Sequence, residues 1–262
     1  MKIGIRTGSL RQPLPEALET AGRLGYDGLE VIPQDEAQLR GWFQEDGAGS
    51  AGELRALAER AGCAVSSFSL AVYRRVNFAQ EDDALRQEGI QLITDSLRAC
   101  RKVGGAALLL PHFDRQRLDI DADEEARFVD GLRACAPVAE ETGVAIAIET
   151  SFSPQQLLRM TQAVGSSRVG VYQDLANAII YRQDPVQMLR ALGPAVVMVH
   201  VKDTTGSGQA MLGEGTVDWA GCRQAIRDIG YDGWFVLETP PGDDPVASAA
   251  RHLDFTRRWL AS

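Results

Sequence analysis

Eight short β-rich runs alternate with eight longer segments of helical periodicity along the 262 residues of the chain. The β-rich runs cover residues 2–6, 28–32, 64–70, 106–111, 144–149, 168–174, 195–203 and 234–238. The helical segments cover about 14–24, 51–61, 81–103, 122–142, 154–164, 184–192, 218–229 and 244–260, and they tend to end at a glycine, which suits a helix C-cap. Eight such pairs predict an α/β fold, a (β/α)8 TIM barrel that forms a single domain over residues 1–262. Alternation alone does not establish closure of the sheet, so a doubly wound open sheet is the second fold.

The composition of the chain limits the classes of molecule that we expect it to bind. The chain is 45% hydrophobic and 24% charged, as expected of a globular protein, and its net charge of -9 is spread without a block of Lys or Arg. We therefore expect no nucleic-acid partner. Neither a signal peptide nor a run of about 18 apolar residues is found, so we expect a cytoplasmic protein without a membrane partner. The four cysteines form no Cys-x-x-Cys pair, which argues against a structural zinc site.

Titratable side chains lie at the ends of four consecutive predicted strands. In TIM barrels the active site lies at the carboxyl ends of the strands, so these positions are candidate functional residues. Counting back by two along each strand, as side chains alternate, indicates that all four can point into the barrel. They are Glu149 at the end of VAIAIE, Asp174 at the end of RVGVYQD, His200 in VVMVH and Glu238 at the end of WFVLE.

Three carboxylates in one barrel mouth would repel each other unless a cation lay among them. Three oxygen ligands and one imidazole, with room for two substrate oxygens, favour one divalent metal ion: Mn²⁺ first, then Mg²⁺ or Co²⁺, with Zn²⁺ also compatible. In the alternative interpretation, each residue separately caps a strand or pairs with a neighbouring Arg or Lys. That explanation would have to apply at all four strand ends.

The chain resembles the xylose-isomerase-like barrel superfamily of sugar (phosphate) isomerases and epimerases along nearly its whole length. The first two strands, KIGIRTGSL and LGYDGLEV, carry a generic part of the resemblance. The specific part lies in the C-terminal half, where AIAIET, VYQDLANAI, VHVKDT, LGEGTVDW and GYDGWFVLE occur in the family's order. The resemblance implies that Glu149, Asp174, His200 and Glu238 bind one divalent metal ion. It also implies that Glu149 and Glu238 are the catalytic acid/base groups.

The activity that the resemblance implies is a metal-dependent isomerase or epimerase acting through proton abstraction next to a carbonyl and an enediolate. Its substrate would be a small keto sugar, a sugar phosphate or a cyclitol, and a homo-oligomer is compatible with the sequence. Lyases of the inosose or dehydroshikimate dehydratase type share the first step and are the alternative enzymes. A non-catalytic sugar-binding barrel is the alternative of another class.

Two departures from the free-ketose 3-epimerases leave the sugar open. Those enzymes carry a histidine three residues after the aspartate, where this chain has Asn177, and an arginine shortly after the metal-binding histidine, where this chain has TTGSG. Asp-x-x-Asn occurs elsewhere in the superfamily, so the implied metal site is retained. Asn177 becomes a candidate substrate-binding residue.

Four further residues are candidates for substrate binding. Lys202 shares the strand face of His200 and could bind a phosphate or an enediolate oxygen, although pairing with Asp203 or Glu214 is an equal alternative. His112 ends the fourth predicted strand, and Arg6 and Glu30 lie near the ends of the first two.

The remaining features of the sequence suggest structural roles. The glycine-rich segment 205–215 lacks dinucleotide-binding spacing, so we interpret it as a mobile loop over the barrel mouth. His252 is expected on a solvated helix face without a role. Phe68, Phe113, Trp219 and Trp234 could form an apolar wall of the pocket, but core packing is the expected role of each.

Overall fold

Eight parallel strands form a closed barrel in the computed structural model, which describes residues 1–44, 46–113, 117–206 and 208–262. Each strand pairs with its neighbours in chain order, and the last pairs with the first, so the predicted TIM barrel is confirmed and the open sheet is excluded. The barrel strands are β1 (Lys2–Arg6), β2 (Gly28–Val31), β3 (Ala64–Ser69), β4 (Ala107–His112), β5 (Ala145–Thr150), β6 (Val169–Asp174), β7 (Val196–Val201) and β10 (Trp234–Leu237). Two short antiparallel strands, β8 (Asp203–Thr204) and β9 (Gln209–Ala210), lie between β7 and β10. β9 lies in the predicted loop 205–215, of which Ser207 lies outside the described residues, and β8 directly precedes this loop.

The eight predicted helical segments are all helices, with ends within a few residues of the expected positions. With three short helices, they make up the α-helices of the described residues: α1 (Thr7–Leu10), α2 (Leu14–Leu24), α3 (Glu36–Gly41), α4 (Ala51–Ala61), α5 (Asp83–Val103), α6 (Ala122–Thr142), α7 (Pro154–Val164), α8 (Leu175–Ile180), α9 (Pro185–Leu192), α10 (Trp219–Asp228) and α11 (Pro245–Ala261). Helices α2, α4, α5, α6 and α7 each end at a glycine with a left-handed backbone, as the sequence indicated. Among the described residues, no helix combines the length and apolar character needed to cross a membrane.

Three of the segments that the sequence did not predict lie just after strand ends. Helices α1 and α8 follow β1 and β6 without a loop, and a 3-10 helix (Ala71–Arg74) follows β3. Each has six residues or fewer, too short for helical periodicity to be visible in the sequence. The 3-10 helix and α8 contribute Arg74 and Asn177 to the lining of the cavity at the barrel mouth.

The barrel interior is filled by a small apolar cluster that is separate from the larger core between strands and helices. Its buried members are Ala107, Leu109, Ala145, Ala147, Tyr172, Met198 and Val236. Glu149, Asp174, His200 and Glu238 each lie two residues beyond one of these, so the predicted inward face is confirmed. Counting back by two from His200 also places Val196 on the inner face, but there the rule fails. A register irregularity between β6 and β7 moves Val196 into the outer core.

Candidate active site

The four side chains at the strand ends converge on one point. One ligand atom from each of Glu149, Asp174, His200 and Glu238 lies within 4.8 Å of the other three. His200 Nδ1 is 3.2 Å from a carboxylate oxygen of Glu149, 3.3 Å from one of Glu238 and 3.7 Å from Oδ2 of Asp174. We call these four residues the carboxylate–histidine cluster.

The carboxylate of Asp174 shows that the cluster fits a cation. Its Oδ1 accepts hydrogen bonds from the backbone N–H groups of Ala176 (2.8 Å) and Asn177 (2.7 Å), and so caps α8. Its Oδ2 is buried and has no hydrogen-bond partner among the described residues, although Lys202 Nζ lies 3.5 Å away. A buried carboxylate oxygen without a hydrogen bond is costly, and a divalent ion bound by the cluster would satisfy it.

Glu30 lies on the opposite side of the His200 ring from the cluster. Its carboxylate lies 3.1 Å from His200 Nε2 and accepts hydrogen bonds from the Ser67 hydroxyl (2.8 Å) and the Tyr172 hydroxyl (2.8 Å). The side chain is fully buried. It therefore offers no surface to a substrate, contrary to the expectation from the sequence, and instead fixes the ring so that Nδ1 faces the cluster.

Two cations partly balance the charge of the carboxylates. The guanidinium of Arg6 forms an ion pair with Glu238, and its Nε lies 3.6 Å from Glu30. The Lys202 ammonium lies 3.3 Å from Glu238 and donates a hydrogen bond to Oδ1 of Asn177 (3.2 Å). The Asn177 amide in turn donates to Glu149 (3.1 Å). Arg6, Lys202 and Asn177 thus all reach the carboxylate–histidine cluster.

The alternative pairing of Lys202 with Asp203 or Glu214 is wrong. The Lys202 side chain points toward the barrel mouth, where its partners are Asp174 and Glu238. The Asp203 carboxylate is fully buried and is occupied by backbone donors, including the N–H groups of Gly213 (2.9 Å) and Gly215 (3.0 Å).

The two glutamates of the cluster differ electrostatically. Burial raises the pKa of Glu149, and this outweighs the opposing hydrogen bond from His200. Burial acts in the same direction on Glu238, but the charges of Arg6, His200 and Lys202 overcome it and lower the pKa of Glu238 to about 2. Before any ion binds, Glu149 is therefore the carboxyl that more readily holds a proton, and Glu238 is the one that stays ionised.

The cavity above the cluster includes residues that the sequence analysis missed or interpreted as core. Arg74, Phe113 and Tyr181 line it together with Glu149 and Glu238. The rings of Phe113 and Tyr181 are stacked, with centroids 5.6 Å apart. The core interpretation of Phe113 is therefore wrong, whereas Phe68 is buried in the core as expected. Arg74 lies five residues beyond the end of β3, in a four-residue 3-10 helix, so the rule that located the cluster at strand ends does not locate it.

His112 lies at the edge of the mouth, at the end of β4. Its ring packs against those of Phe128 and Phe152, with centroid distances of 5.3 and 5.4 Å, and the residue lines a cavity of about 290 Å³ with Arg74, Phe113 and Tyr181. His112 does not line the cavity that contains Glu149 and Glu238. Substrate contact by His112 stays a prediction.

Comparison with known proteins agrees with the barrel fold. A family model described as a xylose isomerase-like TIM barrel matches residues 18–259. The chain belongs to this family. The chain is 27% identical over 258 residues to the L-ribulose-5-phosphate 3-epimerase UlaE of Escherichia coli O17:K52:H18. This match covers 94% of the chain and 89% of the relative. The UlaE of Salmonella typhimurium LT2 is 27% identical over 259 residues, covering 94% of this chain and 90% of the relative.

Solved structures share the fold across nearly the whole chain. D-psicose 3-epimerase from Clostridium cellulolyticum H10, solved with D-tagatose, superposes with a TM-score of 0.84 at 23% identity and 99% coverage of both chains. An L-ribulose 3-epimerase superposes with a TM-score of 0.83 at 20% identity, covering 99% of this chain and 94% of the other. The relatives thus include enzymes named for a phosphorylated ketose and enzymes named for free ketoses.

Proposed function

We propose that this protein is a divalent metal-dependent 3-epimerase of a small ketose or ketose phosphate. The observation that carries the proposal is the convergence of Glu149, Asp174, His200 and Glu238 at the carboxyl end of the barrel, with one ligand atom of each within 4.8 Å of the others. The sugar epimerases among its relatives support the class of reaction. The geometry of the cluster and the names of the relatives both support isomerase-class chemistry on a small sugar.

The cluster would hold the ion through Glu149, Asp174 Oδ2, His200 Nδ1 and Glu238. Three carboxylate oxygens and one imidazole suit Mn²⁺, although Mg²⁺, Co²⁺ or Zn²⁺ could take the same ligands. When bound, the cation polarises the ketose carbonyl and stabilises the negative charge of the enediolate. With its proton on Nε2, hydrogen-bonded to Glu30, His200 would present the lone pair of Nδ1 to the ion.

The two glutamates would move the protons. One removes the proton from C3 of the ketose, and the other returns a proton to the opposite face of the same carbon, which inverts it. A carboxylate with an ordinary pKa near 4.3 is a weak base toward such a carbon, and general base action supplies only about 10²- to 10⁴-fold in rate. Enediolate stabilisation must therefore supply much of the remaining acceleration, which is why the reaction should depend on metal.

The cations beside the glutamates would keep one carboxylate charged through the cycle. Arg6 and Lys202 both contact Glu238, so protonating Glu238 is opposed by two positive charges. Glu149 has only the Asn177 amide and His200 as partners among the described residues. This asymmetry favours Glu149 as the group that holds the transferred proton and Glu238 as the group that returns to its ionised form.

The test is a substrate screen in deuterated water. Protein freed of metal and reloaded with Mn²⁺ is incubated with L-ribulose, L-ribulose 5-phosphate, D-psicose and D-fructose, and products are followed by NMR. We expect a C3 epimer that carries deuterium at C3, and no turnover in the chelator-treated sample. Full activity without metal would refute the mechanism, and so would the absence of exchange with every ketose.

The same experiment, with an inosose added to the substrates, separates the other reactions. A dehydratase acting on an inosose would give an enone that absorbs in the ultraviolet, and an aldose–ketose isomerase would place deuterium on the neighbouring carbon. A non-catalytic sugar-binding barrel would bind a ketose without exchanging any hydrogen.

A further inference from the structure

One cavity joins the carboxylate–histidine cluster to Arg74, whose side chain has no partner among the described residues. This cavity, of about 190 Å³, is lined by Glu149 and Glu238 and also by Arg74, Phe113 and Tyr181. Arg74 also lines the neighbouring cavity of about 290 Å³. A ligand whose reacting carbon lay beside Glu149 and Glu238 would therefore extend toward the Arg74 guanidinium.

The charge of Arg74 is not balanced by any carboxylate in residues 1–44, 46–113, 117–206 and 208–262, where its guanidinium makes no hydrogen bond or ion pair. The adjacent Arg75 has the opposite arrangement. Its guanidinium lies 3.0 Å from a carboxylate oxygen of Glu36 and 2.6 Å from one of Glu88. Arg75 thus forms surface ion pairs, whereas Arg74 lies at the barrel mouth without an ion pair among the described residues.

The backbone that carries Arg74 is fixed. The Asn77 side chain donates a hydrogen bond to the Arg74 carbonyl (3.0 Å), and the buried hydroxyl of Tyr73 accepts one from the backbone N–H of Phe78 (3.1 Å). The guanidinium therefore extends from an anchored turn, which reduces the ordering needed when it binds an anion.

The other cations at the mouth are already committed to carboxylates. Arg6 pairs with Glu238, and Lys202 lies between Asp174 and Glu238. A free ketose carries no charge and would leave Arg74 unpaired, whereas a phosphate group matches the planar fork of a guanidinium in both charge and geometry. In a pentulose 5-phosphate, the phosphate is attached two carbons beyond C3.

We propose that Arg74 binds the phosphate of the substrate and makes the enzyme selective for a phosphorylated ketose over the free sugar. This inference rests on the proposed epimerase function. The stacked rings of Phe113 and Tyr181 line the same cavity and provide an apolar wall for the carbon chain between the two ends of the substrate.

The first experiment measures kcat/KM for L-ribulose 5-phosphate and for L-ribulose with the Mn²⁺-loaded enzyme. We expect the wild type to favour the phosphorylated ketose and Arg74→Gln to lower the ratio of the two kcat/KM values by about 10- to 100-fold, the loss expected for charge-assisted hydrogen bonds to phosphate. Arg74→Lys should retain part of the preference. Arg75→Gln, which removes the same charge one residue away, should leave the ratio within a factor of about two. An unchanged ratio in Arg74→Gln would overturn the proposal.

A binding measurement makes the test independent of turnover. Ribitol 5-phosphate and ribitol lack the carbonyl and cannot react, and their affinities are compared by calorimetry in wild type, Arg74→Gln and Arg75→Gln. We expect ribitol 5-phosphate to bind at least 10-fold more tightly than ribitol, and this advantage to be lost in Arg74→Gln alone. If the advantage persists in Arg74→Gln, or if the wild type has none, Arg74 does not bind the phosphate.

The two measurements distinguish the failure of each proposal. Loss of the phosphate advantage in Arg74→Gln together with no turnover of any ketose would refute the epimerase and retain the phosphate site. Epimerisation of both ketoses with a ratio that is insensitive to Arg74 would retain the epimerase and refute the phosphate site.

Discussion

The Nε2 atom of His200 lies 3.1 Å from the carboxylate of Glu30, on the side of the ring opposite the carboxylate–histidine cluster. Both side chains are fully buried. The charge of Glu30 is the main factor that raises the pKa of His200 well above its ordinary value despite burial, and His200 in turn lowers the pKa of Glu30. This pair orients the imidazole and increases its basicity, as carboxylates behind metal-binding histidines do.

We expect Glu30→Gln to weaken Mn²⁺ binding and epimerase activity by about 10- to 100-fold, because the neutral amide holds the ring without the charge that raises its basicity. Metal affinity is measured by equilibrium dialysis, and activity at saturating Mn²⁺. Ser67→Ala is the matched control, because it removes a hydrogen bond to Glu30 and keeps the carboxylate. Equal losses in the two variants would indicate that Glu30 acts only through packing.

The glutamates of the cluster lead to a second prediction. Glu149→Gln and Glu238→Gln should each lower turnover by about 10²- to 10⁴-fold, the range of general acid–base catalysis. Because proton removal and proton return use different residues, one of the two variants should still exchange the C3 hydrogen of the substrate with deuterated water. NMR detects this exchange without turnover. Wild-type rates in both variants would rule out the acid/base roles.

Residue spacing predicted the barrel and the four residues of the cluster because both follow from patterns among residues that are close together in the sequence. Alternation along each strand locates Glu149, Asp174, His200 and Glu238 on the inner face, and the carboxyl-end rule for TIM barrels brings strand ends together. Neither step needs knowledge of the contacts between distant segments.

Contacts across the barrel could not be predicted in this way. Glu30 lies on the inner face like the cluster, but a register irregularity between β2 and β3 aligns it with Ser67, and it lies beneath His200. The level of Glu30 along the barrel axis, relative to His200, depends on the stagger of strands that are far apart in sequence. Arg74 was missed because its position depends on a four-residue 3-10 helix, and nothing in the sequence distinguishes it from Arg75.

Asp174→Asn should separate the structural and the metal-binding roles of one side chain. Asparagine caps a helix as well as aspartate does, so α8 should persist, while the unpartnered Oδ2 is replaced by an amide that is a poor ligand. For the wild type, Mn²⁺ at about 100 times its Kd should add about 2.7 kcal/mol to the free energy of unfolding, or a rise in Tm of about 5–10 °C. In Asp174→Asn the rise should be absent. A rise of wild-type size in the variant would exclude Asp174 as a ligand.

His252 provides a prediction about acid stability outside the site. The expected solvated face is wrong: the side chain is 2% exposed within α11, its ring donates a hydrogen bond to the Pro240 carbonyl, and Nε2 has no hydrogen-bond partner in the described part of the chain. Arginines at 251, 257 and 258 suggested solvent, but the face of α11 that packs on the barrel includes His252 together with Leu253 and Thr256.

Burial lowers the pKa of His252 from 6.5 to about 4. Above pH 6.5 the ring is neutral in both the folded and the unfolded chain, so it contributes no pH dependence there. Between pH 6.5 and 4 the unfolded chain binds a proton that the folded chain does not. The free energy of unfolding should therefore decrease by up to about 3 kcal/mol as the pH is lowered through this range. His252→Asn retains a donor near the position of Nδ1 and does not titrate. Urea unfolding at pH 7.5, 6 and 5 should therefore show a shallower loss in the variant, and parallel losses would mean that His252 is protonated in the folded protein as readily as in the unfolded chain.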